Sequence, residues 1–144
     1  MLSDAFFRKL GFDIVKKFKR HIWKGSKDVY GAKFKSYKSQ SYKERKNAGN
    51  IKRQSAESRG SRAPIVTGDF KNDFKLLSSS SSGISLGWSA HGSKVKWLAD
   101  NKRVVTADDQ PLPDGLLRMI DSAIKKETER QLPKNEVVHI KVGK

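Results

Sequence analysis

The side chains able to do chemistry are few and dispersed. His21, His91 and His139 lie far apart, and no two of them fall at metal-ligand spacing. There is no cysteine, which removes disulfides, thiolate metal sites and cysteine catalysis. Serines are abundant, yet no Gly-x-Ser-x-Gly elbow occurs. The serine run at residues 78–82 lacks the Gly-Lys-Ser/Thr pattern of a phosphate-cradling loop. Asp69 and Asp73 are four apart and Asp108 and Asp109 are adjacent; such pairs usually cap turns. His91, Arg103 and Asp109 are the types a ribonuclease-type site needs, but no spacing brings them together. The reading is therefore of a non-enzyme with no catalytic residue, no cofactor and no metal site.

The remaining chemistry is electrostatic. The formal net charge is +16 in 144 residues. Half of that excess falls in residues 31–62, where ten Lys/Arg face two Asp/Glu. Residues 63–110 are nearly neutral, with six Lys/Arg against five acids. A local excess of this size favours a polyanionic partner. Its cations are Lys33, Lys35, Lys38, Lys43, Arg45, Lys46, Lys52, Arg53, Arg59 and Arg62. These are the candidate contacts to DNA or to an acidic partner. Tyr30, Phe34, Tyr37 and Tyr42 are interleaved with them. Aromatics between cations serve base stacking in single-strand binders, but they also pin loops onto cores. Here they are assigned as loop anchors. The second half, residues 47–62, has Ile51 as its one large apolar residue and reads as mobile.

The elements that must position this arm come before and after it. Phe7, Leu10, Ile14, Phe18 and Ile22 recur at spacings of three and four, predicting an amphipathic helix over residues 3–23. Ser3 is its cap, Gly25 its stop, and Gly11 a point for a kink. A short helix is expected near residues 41–46. Phe74, Leu76 and Leu77 begin a strand or end a short helix. Ile84, Leu86 and Trp88 alternate with small residues and predict a half-buried strand. Val95, Trp97 and Ala99 suggest another strand, and residues 103–107 a third, giving an antiparallel meander. Leu116, Leu117, Ile120, Ala123, Ile124 and Leu132 mark a second helix over 113–132, with Asp114 as N-cap. Val138, Ile140 and Val142 predict a final strand. The expected fold is a single α+β domain over 1–144. A small antiparallel sheet packs with an N-terminal and a C-terminal helix, and a long basic loop spans residues 30–63. No apolar run reaches the length of roughly 20 residues that a membrane helix needs, and the N-terminus does not read as a secretory signal.

In this order the segments resemble a known family. A basic amphipathic helix is followed by Asp28-x-x-Gly31-x-x-Phe34-x-x-Tyr37-x-Ser39 and then Tyr42-x-x-x-Lys46. Thr67-Gly68-Asp69-Phe70 opens a β-region, and a helix closes it. The arrangement resembles the tail-completion and virion-morphogenesis proteins of tailed bacteriophages, small proteins of the head-to-tail neck. The resemblance spans roughly residues 5–130. It implies a non-enzymatic structural virion protein, assembled in the host cytoplasm. Such subunits form homo-oligomeric rings of roughly six or twelve copies around the DNA channel. Their partners are adjacent neck, portal or tail proteins, with non-specific contact to packaged DNA and no membrane. The alternative is a stand-alone basic nucleic-acid-binding protein; a third reading is a small basic toxin nuclease.

Overall fold

The computed structural model describes residues 2–132. The chain is an α+β domain built around its first helix, α1 (Asp4–Lys19). Ser3 caps it, its Oγ accepting from the Phe6 N–H at 3.1 Å. Phe7, Leu10, Ile14 and Phe18 are buried along one face, as their spacing requires. The helix then widens into a π-turn over Arg20–Lys24, closed by the Gly25 N–H donating to the Arg20 carbonyl at 2.8 Å. The extra residue in that turn lets adjacent Ile22 and Trp23 both face the core. A regular helix would have turned one of them outward.

A β-hairpin lies against α1. Its strands are β1 (Phe74–Ser80) and β2 (Gly83–Trp88), paired antiparallel from Phe74↔Trp88 to Ser80↔Gly83. Ser81 and Ser82 form the turn, so three of the five serines are strand residues. Between Leu76 and Ser78 the register slips by one residue, which bulges Leu77 outward. Gly11 is where the hairpin closes onto the helix: a Cβ there would lie 2.9 Å from Leu76 Cδ1. Its role is close approach, in place of the expected kink.

A short helix, α3 (Asp69–Asp73), precedes the hairpin. It follows α2 (Gln40–Ala48), which extends the short helix expected near 41–46 and ends at Gly49 in the left-handed region. In α3, Gly68 takes a φ of +91°, and Thr67 Oγ1 accepts from the Asp69 N–H. Phe70 and Phe74 thereby turn inward together. Phe70 stacks on Trp88 at 5.0 Å and Phe74 stacks on Phe18 at 4.4 Å. Trp88 donates to the Phe70 carbonyl, and Trp23 to the Pro64 carbonyl. These rings form the aromatic centre of the core.

The meander is corrected. Residues 94–100 form a helix, α4 (Lys94–Asp100), rather than a strand. Leu98 is buried and Val95 packs beside it at a spacing of three, while Trp97 is 64% exposed. Seven residues satisfy both periods, and the core selected the helical one. Residues 103–107 run irregularly, tied to the loop that follows the π-turn by the Val29 N–H donating to the Val104 carbonyl. The last helix, α5 (Asp114–Gln131), buries Leu116 and half-buries Met119, Ile120, Ala123 and Ile124. Its N-cap is Pro113; Asp114 is its first residue and accepts from Gln110 instead. Leu132 is exposed and adds nothing to that face. The strand expected at Val138, Ile140 and Val142 lies outside the described residues.

Phe18 is fully buried and meets Trp23, Phe74 and Trp88. Phe18→Ala is expected to cost about 3–5 kcal/mol in a urea titration, from lost transfer and a residual cavity. A loss below about 1 kcal/mol would show that this aromatic centre is not the seat of stability.

Candidate functional site

The basic arm is folded. Its first turn is built by Asp28, whose Oδ1 accepts from the N–H groups of Tyr30 and Ala32 at 3.0 and 2.9 Å. Gly31 closes that turn with a φ of +94°. The His21 Nε2–H donates to the Asp28 carbonyl at 2.7 Å, which fixes the tautomer of the ring. Phe34 is buried, and its N–H donates to the Ser26 carbonyl. Tyr30 is half exposed, and its hydroxyl donates to Asp109 at 2.9 Å.

Arg103 holds the arm at both of its ends. Its Nη2 donates to the Lys35 carbonyl at 2.8 Å and its Nε to the Arg62 carbonyl at 3.2 Å. The guanidinium lies 3.9 Å from the Tyr37 ring centroid. Tyr42 meets the same ring edge-on at 4.9 Å. The Tyr37 hydroxyl donates to the Ala63 carbonyl, and Lys46 Nζ donates to both the Tyr37 hydroxyl and the Ala63 carbonyl. Lys46 is also 4.7 Å from the Tyr37 centroid, but the 2.8 Å contact to the hydroxyl places it at the rim and not over the face. Burial, and then the charge of Arg103, lower the Lys46 ammonium to about 8. Burial raises the Tyr37 and Tyr42 phenols, against the opposing pull of Arg103.

Lys46 is therefore a structural cation, which corrects its assignment to an accessible contact surface. It is buried because the carbonyl of Ala63 and the hydroxyl of Tyr37 supply the acceptors a buried ammonium needs. Lys43 is half-buried. Lys33, Lys35, Lys38, Arg45, Lys52, Arg53, Arg59 and Arg62 are exposed. Arg53 lies 3.7 Å from Asp69, and Arg59 donates to the Ala48 carbonyl. Residues 47–62, expected to be mobile, pack back on the domain. The Ser55 N–H donates to the Val66 carbonyl, Gln54 reaches the Lys46 carbonyl, and Ser58 is fully buried.

His91, Arg103 and Asp109 each serve a different partner. The His91 N–H donates to Asp73, Arg103 closes the arm, and Asp109 accepts from Tyr30. Asp73 also accepts from the Ala90 N–H and from Ser89. These bonds, that of Ala90 foremost, hold its carboxyl down to about 2. Among the described residues, no three His, Asp or Glu side chains converge as a metal site would require.

A second basic feature went unread in the sequence. A cleft of about 560 Å³ gathers Lys19, Arg20 and Lys24 with Arg59 and Lys71. Three segments contribute, so no local pattern announces it. Comparisons with protein-family models, with curated proteins and with solved structures return no match to this chain. Among the described residues, no helix is long and apolar enough to cross a membrane.

The Lys46 shift has a sign. The folded protein disfavours the charged form, so stability rises as pH increases from about 8 towards the unfolded value near 10.5. Urea midpoints between pH 8 and 10 are expected to climb for the native chain relative to Lys46→Met, which lacks this titration. Parallel profiles would refute the assignment.

Proposed function

We propose that this chain is a structural subunit of the bacteriophage neck. It forms an oligomeric ring that joins the portal and capsid side to the tail and surrounds the DNA channel. On this reading it is not an enzyme, it takes no cofactor, and it resides in the virion after assembly in the host cytoplasm. The motifs behind the resemblance have structural work to do here. Asp28 and Gly31 shape the turn that starts the arm, and Gly68 shapes the turn that delivers Phe70 to the core.

The observation that carries the proposal is the hairpin. Its sheet has two strands among the described residues, so β1 and β2 each present an outer edge. Among the described residues, the Phe74 N–H donates to the Lys71 carbonyl of α3, and no other backbone–backbone hydrogen bond joins either strand to a neighbouring element. Sheet edges are templates for pairing with another chain. Two different edges on one subunit are what a head-to-tail ring contact uses, since each copy offers one surface and receives another. Leu77, Phe12 and Trp97 leave large apolar surface exposed, which suits burial against neighbours.

The test is the mass of the full chain in solution by light scattering, at low and high salt, alone and with a portal or tail partner. A closed ring, alone or on addition of the partner, is expected. A chain that remains monomeric under every one of these conditions overturns the proposal, whether or not it binds DNA.

A further inference from the structure

The cleft behind α1 has a composition that the ring reading does not require. Its floor and rim carry five cations, Lys19, Arg20, Lys24, Arg59 and Lys71, and one carboxylate, Glu57. Glu57 is already bonded to Lys71. The side chains of Lys19, Arg20 and Lys24 make no hydrogen bond or ion pair with a described residue. The C-terminal end of a helix favours cations, and that accounts for Lys19 and Lys24 taken singly. It does not account for Arg59 and Lys71, which come from two further segments and converge on the same space. Lys19 is drawn partly out of water, and its ammonium is lowered by that burial and by the charge of Lys71. Five like charges are crowded together, and the one acid among them, Glu57, is taken up by Lys71. Such an arrangement is relieved by an anion that arrives from outside.

We propose that this cleft binds the phosphodiester backbone of a nucleic acid. Phosphodiesters place one negative charge on every nucleotide and bring no cations of their own. Their oxygens accept from ammonium and guanidinium groups alike. The deep pair, Lys19 and Lys71, meets one phosphate. Arg20, Lys24 and Arg59 meet its neighbours along the strand. The contact is to charge and not to bases, so it is blind to sequence and strongly salt-dependent. An acidic protein surface is the competing occupant, and it rarely offers charge at this density without interspersed cations. The site is formed within one chain, so it is tested independently of ring assembly.

The experiment measures binding of labelled double- and single-stranded DNA to the full chain by fluorescence anisotropy, over a range of salt. The variant K19Q/R20Q/K24Q removes three charges while keeping the side-chain stems. The matched control K96Q/K125Q/K126Q removes three exposed charges elsewhere. The cleft variant is expected to lose about tenfold in affinity or more and to flatten the salt slope by about 2–3. The control is expected to lose less than about threefold. Equal losses in the two variants overturn the proposal. So does poly-glutamate that competes as well as DNA at equal charge, which would assign the cleft to an acidic protein. Acetylation footprinting of the unaltered chain removes dependence on folding of the variant. DNA should protect Lys19, Lys24 and Lys71 and leave Lys125 and Lys126 reactive; uniform labelling would refute the site.

Discussion

The guanidinium of Arg103 is the tie on which this structure depends. It joins the Lys35 and Arg62 carbonyls, which lie far apart in sequence, and rests on the ring of Tyr37. Hydrogen bonds to a charged donor contribute about 1.5–3 kcal/mol each. An arm of about this length closes at a modest entropic cost that grows slowly with length. Two such bonds and a stacked ring are sufficient to offset that cost. Arginine suits the task because its fork is rigid and it tolerates burial with neutral acceptors. Lys46, buried on the same tyrosine, completes a small interior in which carbonyls and phenols take the place of carboxylates.

This interior explains how so basic a segment can be ordered. A polar stretch cannot bury enough apolar area to fold alone. Here the arm folds by surrendering one cation to the inside, offering main-chain carbonyls as acceptors to another, and planting Phe34 in the core. The rest of its charge stays on the surface. The result is a rigid, positively charged platform in place of a trailing tail.

The parts legible in the sequence were those whose partners are local. The α1 face followed from spacings of three and four, and Ser3 from its position just ahead of that apolar repeat. The alternation of Ile84, Leu86 and Trp88 marked β2 because small residues separate them. The segment around Val95 failed because seven residues fit a strand and a helix equally, and only the burial of Leu98 separates the two. Trp23 was unreadable as core because a π-turn breaks the helical period at that point. The interior roles of Arg103 and Lys46 were not legible, since their partners are main-chain carbonyls and a tyrosine supplied by other segments. The cleft was missed for the same reason: its charges converge only after the chain has folded.

The serine-rich hairpin carries one last consequence. Five identical side chains offer nothing that distinguishes one pairing of the tip from the next. What sets the phase is the bulge at Leu77 and the seat of Leu76 against Gly11, both on the helix side of the serines. The tip is thus uncoupled from the body. A serine gained or lost there alters the reach of the hairpin and leaves the aromatic core in register. A change of length at this position alters how far the hairpin projects without redesigning the fold that carries it.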